Sequence, residues 1–197
     1  MLHSEERTYL EDELATGVMK YYADKKYAFV ALLPKEGVNL YQYVNSLTGE
    51  HLQELLANAK NVTVDMTIPK FEVEYETEMS KILEYMGMTD AFDGGKADLT
   101  RMGSSTRGNL FLNRVLHKTF LTLDELGTKA GAVTVVEVND ECAMIDENRK
   151  QVTLDRPFFY MIIDCENNQP IFMGTVQYVK EYESDTLCSY PLKEYFE

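Results

Sequence analysis

Tryptophan is absent from this chain of 197 residues, and cysteine, histidine and proline are scarce, with three, three and five residues. Metal sites usually draw ligands from short local spacings such as C-x2-C, and the chain has none. Three cysteines cannot all pair within one chain, so we expect free thiols rather than a disulfide framework. The sequence therefore predicts neither a metal site nor a cofactor. The scattered residues are Cys142, Cys165, Cys188, His3, His51 and His117.

Positive charge is also in short supply. The chain has 19 Lys and Arg against 33 Asp and Glu, which gives a formal net charge of -14. Such a chain should repel phosphate backbones and anionic membranes, so we expect no nucleic acid and no membrane as partner. No apolar run approaches the length of a membrane span, and the first ten residues lack the pattern of a secretion signal. Hydrophobic residues make up 45% of the chain, which argues against disorder.

Apolar periodicity in the first part of the chain predicts strands with a few short helices. The segments "TGVMKYYAD" and "KYAFVALLP" indicate a hairpin, whose nearly all-apolar second strand should be covered on both faces and end at Pro34. The segments "NLYQYVNSL" and "TGEHLQELLANAK" indicate helices, the second with Thr48 as its N-cap. The segment "NVTVDMTIPKFEVEYE" predicts an extended strand interrupted at Pro69.

The next part of the chain continues this α+β pattern. The segment "TEMSKILEYMG" predicts a helix with Thr77 as N-cap and Gly87 as C-cap, followed by a loop with at most one helical turn. The segment "NLFLNRVLHKTFLTLDELG" predicts a long strand, on one face of which Asn113 and His117 accompany apolar residues. This favours a buried histidine with hydrogen-bond partners over a titrating one. Two further β segments, "QVTLDRPFFYMIID" and "QPIFMGTVQYV", follow.

Catalytic signatures are missing from the sequence. A nucleophilic triad needs Ser or Cys beside a general base, and no G-x-S-x-G elbow is present. The segment "DGGKAD" shares only its glycines with a phosphate-binding loop. Acidic pairs such as those in "DELG" and "DENRK" are typical of solvated faces at this charge density. We therefore predict that the protein is not an enzyme.

Three stretches agree with one known family in identity, order and spacing. They are "IPKFEVEYETEMSKILEYMGMTDAF", "VLHKTFLTLDELGTKAGAVT" and "VTLDRPFFYMIIDCENNQPIFMGTV". Together they resemble the serpins, the serine protease inhibitor superfamily. The resemblance implies an α+β, serpin-like multi-sheet fold, with strands of the large central sheet and of the B and C sheets. The family's C-terminal signature is matched by Asp155, Arg156, Pro157 and Phe158.

The resemblance also implies a domain organisation. Residues 1–176 resemble the C-terminal portion of a serpin domain, and residues 177–197 form an acidic C-terminal extension. The N-terminal half of the domain would then be a partner needed for a complete fold, and this chain alone would be an inactive fragment. By family resemblance, the parent protein would be extracellular or at the cell surface.

The implied function is inhibition of a serine protease, or alternatively a cysteine protease, by a suicide-substrate mechanism. In serpins the protease cuts an exposed reactive-centre loop, here about residues 127–150. The upstream part then inserts into the central sheet as a new strand, and the acylated protease is trapped. Small residues suit insertion into a packed sheet, and proline, which cannot donate a backbone hydrogen bond to a sheet, is absent from residues 125–156. The hinge residues would be Glu125, Gly127, Thr128, Ala130, Gly131 and Ala132.

The position of the reactive bond follows from counting along the hinge by resemblance. The count places the reactive bond near Glu141 and Cys142. The alternatives are the next bond, between Cys142 and Ala143, and bonds at Met144 or Arg149. Each position implies a different protease preference.

Two residues elsewhere match a structural switch in the family. Lys70 matches one member of an ion pair with Glu125 at the top of the central sheet, and His117 matches a histidine that helps to control strand opening. Two other functions stay open. One is a non-inhibitory serpin-fold binding or carrier protein, and the other is a truncated product that acts only as a partner for the N-terminal half.

Overall fold

The computed structural model describes residues 1–124, 127–128 and 148–179. The predicted reactive bond at Glu141 and Cys142 and the hinge residues Glu125 and 130–132 lie outside the described residues, as does the extension beyond residue 179. In chain order the described elements are β1 (Leu2–Glu11), β2 (Ala15–Tyr21), β3 (Tyr27–Pro34), α1 (Leu40–Ser46), α2 (Gly49–Ala57), β4 (Lys60–Ile68), β5 (Phe71–Glu78), α3 (Ser80–Tyr85), a 3-10 turn (Asp90–Phe92), β6 (Leu116–Asp124), β7 (Gly127–Thr128), β8 (Lys150–Thr153), β9 (Phe158–Asp164) and β10 (Gln169–Val176).

Two sheets contain these strands. The larger has seven strands in the order β10-β9-β3-β2-β1-β4-β8, and the smaller has the order β5-β6-β7. In the larger sheet β8 runs parallel to β4, with Val64 opposite Lys150, and the other neighbours are antiparallel. Contacts divide the chain into two compact units, Met1–Phe71 with Asp124–Glu197, and Glu72–Leu123.

The hairpin of β2 and β3 is confirmed, and β3 is an interior strand of the larger sheet, between β9 and β2. Every residue of β3 from Ala28 to Pro34 is buried, as its apolar run predicts. Leu40, Tyr43, Leu55 and Leu56 of the two helices pack against one face of the sheet. The opposite face carries Phe29, Phe158 and Tyr160, which are also buried. Because both faces are covered, the middle of the sheet tolerates an almost wholly apolar sequence.

The predicted helix ends are only partly correct. Thr48 is the N-cap of α2, where its hydroxyl accepts a hydrogen bond from the His51 amide at 3.1 Å. Thr77 as an N-cap is wrong, because residue 77 still belongs to β5 and α3 begins at Ser80, preceded by Met79 without a side-chain cap. Gly87 follows the last helical turn with φ of +101°, a conformation that glycine adopts at little steric cost.

The long strand predicted from residue 109 is shorter in the structure, because β6 begins only at Leu116. Backbone amides of the preceding segment donate hydrogen bonds to other residues of the second unit. The Leu112 amide donates to the Ala91 carbonyl at 2.8 Å, and the Val115 amide donates to the Ser80 hydroxyl at 3.0 Å. These local hydrogen bonds replace the ladder that the alternating sequence predicts.

The prediction of a buried His117 and Asn113 is wrong for this chain, since both side chains are exposed. Along the face that carries His117, burial increases toward the end of the strand, where Leu121 and Leu123 are only 6% and 7% exposed. The described residues of this chain therefore cover the end of that face and leave its beginning open to solvent.

Candidate functional site

The predicted site residues that the structure describes lie on several elements. Gly127 and Thr128 form the short strand β7, at the beginning of the predicted reactive-centre loop. Lys70 is exposed between β4 and β5, and its predicted partner Glu125 lies outside the described residues. His117 is exposed on β6. Each of these roles therefore stays a prediction.

The family signature links β8 to β9 in the larger sheet. Phe158, the first residue of β9, is fully buried, as is Leu154 just after β8. The Leu154 amide donates to the Thr67 carbonyl at 2.8 Å, which extends the pairing with β4 beyond the end of β8. Arg156 donates through Nη2 to the Pro34 carbonyl at 2.9 Å. The segment that carries the signature is thus hydrogen-bonded to two different strands, to β4 through Leu154 and to β3 through Arg156.

Arg156 also borders a cavity of about 270 Å³, which Pro34, Asn39, Tyr41 and Gln177 help to line. Among the described residues that line this cavity, Arg156 is the charged one. Because its guanidinium is already bonded to the Pro34 carbonyl, Arg156 shapes the wall of this cavity.

Arg149, immediately before β8, is held by two acidic residues. Its guanidinium forms a bidentate pair with Asp65 on β4 and contacts Glu5 Oε2 on β1 at 3.3 Å. The hydrogen bond from Arg149 lowers the pKa of the Asp65 carboxyl below its usual range, and slight burial opposes the shift. This cluster joins a residue at the end of the predicted loop to β4 and β1.

Lys150, the next residue, faces an aromatic ring. The ammonium groups of Lys150 and Lys60 lie 5.8 Å and 5.9 Å from the centre of the Tyr9 ring. Lys60 also pairs with Glu11 at 3.0 Å. Cation–π contacts at this distance stabilise exposed sites modestly, by about 0.5–1 kcal/mol. The beginning of β8 is therefore held by side chains as well as by its ladder.

Sequence reasoning missed this attachment of the loop's far end. Arg149 and Asp65 are 84 residues apart in the sequence, so no local spacing connects them. The available signal was the adjacent pair Arg149–Lys150 at the entry to a predicted strand in an otherwise acidic chain.

A second buried network centres on Asp12, in the turn between β1 and β2. Its carboxylate accepts hydrogen bonds from Tyr43 Oη at 2.9 Å and from the Leu14 and Ala15 amides, and its Oδ2 lies 3.0 Å from His51 Nε2. Burial opposes ionisation of Asp12, but these hydrogen bonds outweigh it and hold the pKa of the carboxyl below its usual range. Burial, together with Asp12, raises the pKa of Tyr43 and keeps that phenol neutral. The network ties α1 and α2 to the β1–β2 turn.

Among residues 1–124, 127–128 and 148–179, no three or more His, Cys, Asp or Glu side chains are grouped so that they could hold a metal ion. Within the same ranges no helix is long and apolar enough to cross a membrane. Cys165 is a free thiol whose pKa is raised by burial and by Asp164 and Asp24, so its nucleophilic thiolate form is disfavoured.

The architecture is that of the serpin fold. A crystal structure of tengpin, a thermophilic serpin, in its native state matches 90% of this chain and 45% of its own chain, with a TM-score of 0.77 and 48% sequence identity. A serpin from the trematode Schistosoma haematobium matches with a TM-score of 0.67 and 28% identity, over 88% of this chain and 45% of its own.

The family model for serpins, serine protease inhibitors, matches residues 1–179, and the chain belongs to this family. Serpin B10 of Rattus norvegicus is 35% identical over 84% of this chain, and serpin B9 of Homo sapiens is 35% identical over 78% of it. Intracellular coagulation inhibitor 2 of Tachypleus tridentatus is 32% identical over 85% of this chain. The chain spans about 40% of the length of these relatives, whose matched shares are 41%, 40% and 40%.

Proposed function

We propose that this chain is the C-terminal portion of a suicide-substrate inhibitor of serine proteases, with the reactive bond in the segment between β7 and β8. The observation that carries the proposal is the attachment at both ends of that segment. Gly127–Thr128 has strand conformation before it, and β8 is paired with β4 after it. The two attachments belong to different sheets, so a cut between them leaves each new end with its own support.

The physical basis of the proposed mechanism is growth of an existing strand. Because residues 127–128 are already extended, insertion of the following residues would lengthen a strand rather than nucleate a new one. The small residues at 130–132 and the β-prone run of residues 133–138 suit such insertion. New ladder hydrogen bonds and apolar burial would supply the driving force, stored as metastability until cleavage.

The proposed partner for a complete fold is the N-terminal half of a serpin domain. The chain's share of its relatives' length supports this, as do exposed apolar side chains on the described surface. Ile171 and Met173 on edge strand β10 are 60% and 54% exposed, and Phe120 on β6 is 57% exposed. Exposed apolar side chains on strand edges favour pairing with further chain. Size measurement of this chain with and without a co-expressed N-terminal half tests the partnership, and two non-associating chains would contradict it.

The inhibitory function is tested on the parent protein. The parent and the 197-residue chain are each incubated with elastase-, trypsin- and glutamyl-type proteases, and the products are separated in SDS. We expect a covalent complex with the parent and none with the chain alone, because the strand that would flank the inserted loop would belong to the proposed N-terminal half. A parent that every protease merely degrades would contradict the inhibitory function.

A non-inhibitory binding protein is distinguished by heating. An inhibitor whose loop has been cut gains a strand and melts at a higher temperature than before. The same Tm before and after cleavage would indicate the binding or carrier function instead. An extracellular site of action for the parent remains part of the proposal, and secretion of the full-length product from expressing cells tests it.

A further inference from the structure

Side-chain contacts add to the backbone ladder that attaches the end of the predicted reactive-centre loop to the larger sheet. The ladder of β8 is short, with four residue pairs from Val64–Lys150 to Thr67–Thr153. Immediately before it, the Arg149 guanidinium spans both of the strands beyond β8, through Asp65 on β4 and Glu5 on β1. Glu5 and Asp65 are themselves opposite each other in the β1–β4 register, so their carboxylates form one acidic receptor.

We propose that Glu5, Asp65 and Arg149 form an anchor that sets the downstream limit of the protease-sensitive segment and keeps β8 in the sheet after an upstream cut. The proposal deepens the proposed function and rests on it for the identity of the segment. It assigns Arg149 a positioning role and removes it from the candidate reactive-bond residues.

The charge arrangement favours a specific pair over a diffuse attraction. A guanidinium matches the planar geometry of a carboxylate with two parallel hydrogen bonds, which an ammonium group cannot reproduce. The side chains of Arg149, Asp65 and Glu5 are 47%, 44% and 36% exposed, so salt should screen the anchor. Its strength should therefore be that of a small surface network, which a protease assay detects readily as a change in rate.

A protease requires an extended substrate that has left the sheet. Cutting of the Arg149–Lys150 bond therefore reports local opening of β8. In the native chain this bond lies between the anchor and the first residue of the β8 ladder. Trypsin can cut it only after local opening of β8, and the rate of cutting then follows the population of the opened form. The anchor should lower that population.

The experiment is limited trypsin digestion of the complete 197-residue chain, with the product cut after Arg149 measured by mass spectrometry. The variant carries Glu5→Gln and Asp65→Asn, which remove both carboxylates and keep the arginine that trypsin recognises. We expect cutting after Arg149 about five-fold faster in the variant, corresponding to a surface network near the upper end of its usual strength. In 1 M NaCl the difference should shrink towards one-fold.

The matched control is Glu6→Gln. Glu6 is the neighbour of Glu5 on β1 but pairs with Lys20, so its removal changes the net charge without touching the anchor. We expect unchanged cutting after Arg149 in this control. Equal acceleration in the control and the double variant, or none in either, would overturn the anchor.

Hydrogen exchange distinguishes local opening of β8 in the double variant from loss of the whole fold. Exchange in a peptide covering residues 150–154 should rise about five-fold in the variant, while a peptide covering residues 158–164 in β9 stays protected as in the native chain. A charge swap, Arg149→Asp with Asp65→Arg, should restore protection of the first peptide. Exchange that rises equally in both peptides, or that the swap fails to restore, would count against the anchor.

The experiments can contradict the anchor without contradicting the proposed function, and the reverse. Faster cutting after Arg149 in the variant supports the anchor even if the parent traps no protease. Covalent trapping by a parent that is cut after Arg149 supports the proposed function and rejects the anchor.

Discussion

Gly174 on β10 lies opposite Tyr160 on β9, and a methyl group on Gly174 would lie 2.6 Å from the Tyr160 hydroxyl oxygen. Tyr160 is 1% exposed, and its ring contacts those of Phe29, Phe71 and Phe172 at centroid distances of 6.2, 5.3 and 6.3 Å. Aromatic neighbours on several sides restrict movement of the Tyr160 ring. The glycine is therefore required by the close approach of the two strands and not by an unusual backbone angle.

Gly174→Ala should destabilise the chain by about 1–3 kcal/mol, because the added methyl group overpacks the site around Tyr160. Urea unfolding followed by circular dichroism measures the change. The control is Gly49→Ala in the first turn of α2, where an added Cβ meets no atom within 4 Å. There we expect no loss, since alanine favours helix over glycine by up to about 1 kcal/mol. Equal losses at the two positions would rule out the packing explanation.

Leu154→Ala should lower the free energy of unfolding by about 2–5 kcal/mol, because Leu154 is fully buried between β8 and β9 and its removal leaves a cavity. Leu116→Ala provides the comparison, since Leu116 is 52% exposed at the start of β6. That change should stay within about 0.5 kcal/mol. Thermal or urea unfolding distinguishes the two, and a similar effect for both would show that the segment after β8 does not contribute to the core.

Asp12→Asn should destabilise the chain near neutral pH by about 1–3 kcal/mol, because the buried carboxylate accepts several hydrogen bonds. The folded-state pKa of Asp12 is lower than its unfolded value. Its contribution is therefore fully present above the unfolded pKa of about 4 and is lost as the pH falls through the folded pKa. The difference between native chain and variant should accordingly shrink below about pH 4.

Urea unfolding of both proteins between neutral and acidic pH measures this difference, with Glu13→Gln as control. Glu13 is the exposed neighbour of Asp12 in the same turn. Its replacement should change stability by less than about 0.5 kcal/mol at any pH. An Asp12→Asn difference that is constant across the pH range would contradict the role assigned to the ionised carboxylate.

If the parent inhibits proteases as proposed, Ala130→Arg should convert it into an ordinary substrate. Side chains alternate between the two faces of a strand, so Thr128, Ala130 and Ala132 would share one face of the inserted loop. An arginine on that face slows insertion, and water then releases the acylated protease first. We expect the yield of SDS-resistant complex to fall at least roughly ten-fold, which a barrier change of about 1.4 kcal/mol would produce, while cleavage continues.

Lys129→Arg is the control for the hinge, because residue 129 would face the opposite side of the strand and keeps its charge. Complex formation by this variant should match that of the parent. Full trapping by the Ala130→Arg parent would show that strand insertion is not the step that retains the protease.

The strands were predictable where their pattern is strong. The apolar run of β3 predicts a strand buried on both faces, and Thr48 predicts the start of α2; both are confirmed. Pro69 correctly marks a break, but the strands on its two sides, β4 and β5, lie in different sheets. The one extended strand predicted around Pro69 is therefore two strands of separate sheets. The alternation of apolar and polar residues predicts which face of a strand is buried. It does not predict which strands lie beside it in the sheet.

Site residues were predictable only in part. Motif order identified the family, which the comparisons confirm. The Asp12–Tyr43–His51 network had no local signal, and the anchor at Arg149 had only the adjacent Arg149–Lys150 pair, since the members of both come from separate elements. His117 shows the converse, because an alternating pattern predicted burial that the described part of this chain does not provide.

Local chemistry in the sequence determined the strand and helix types, the family and the small residues of the predicted hinge. These depend on neighbouring residues, whose periodicity and steric size act over a few positions. Only the tertiary structure decided that β8 runs parallel to β4, that Arg149 meets Glu5 and Asp65, and that Gly174 makes room for Tyr160. Those relationships join residues far apart in the chain, and they exist only once the sheet register brings the side chains together.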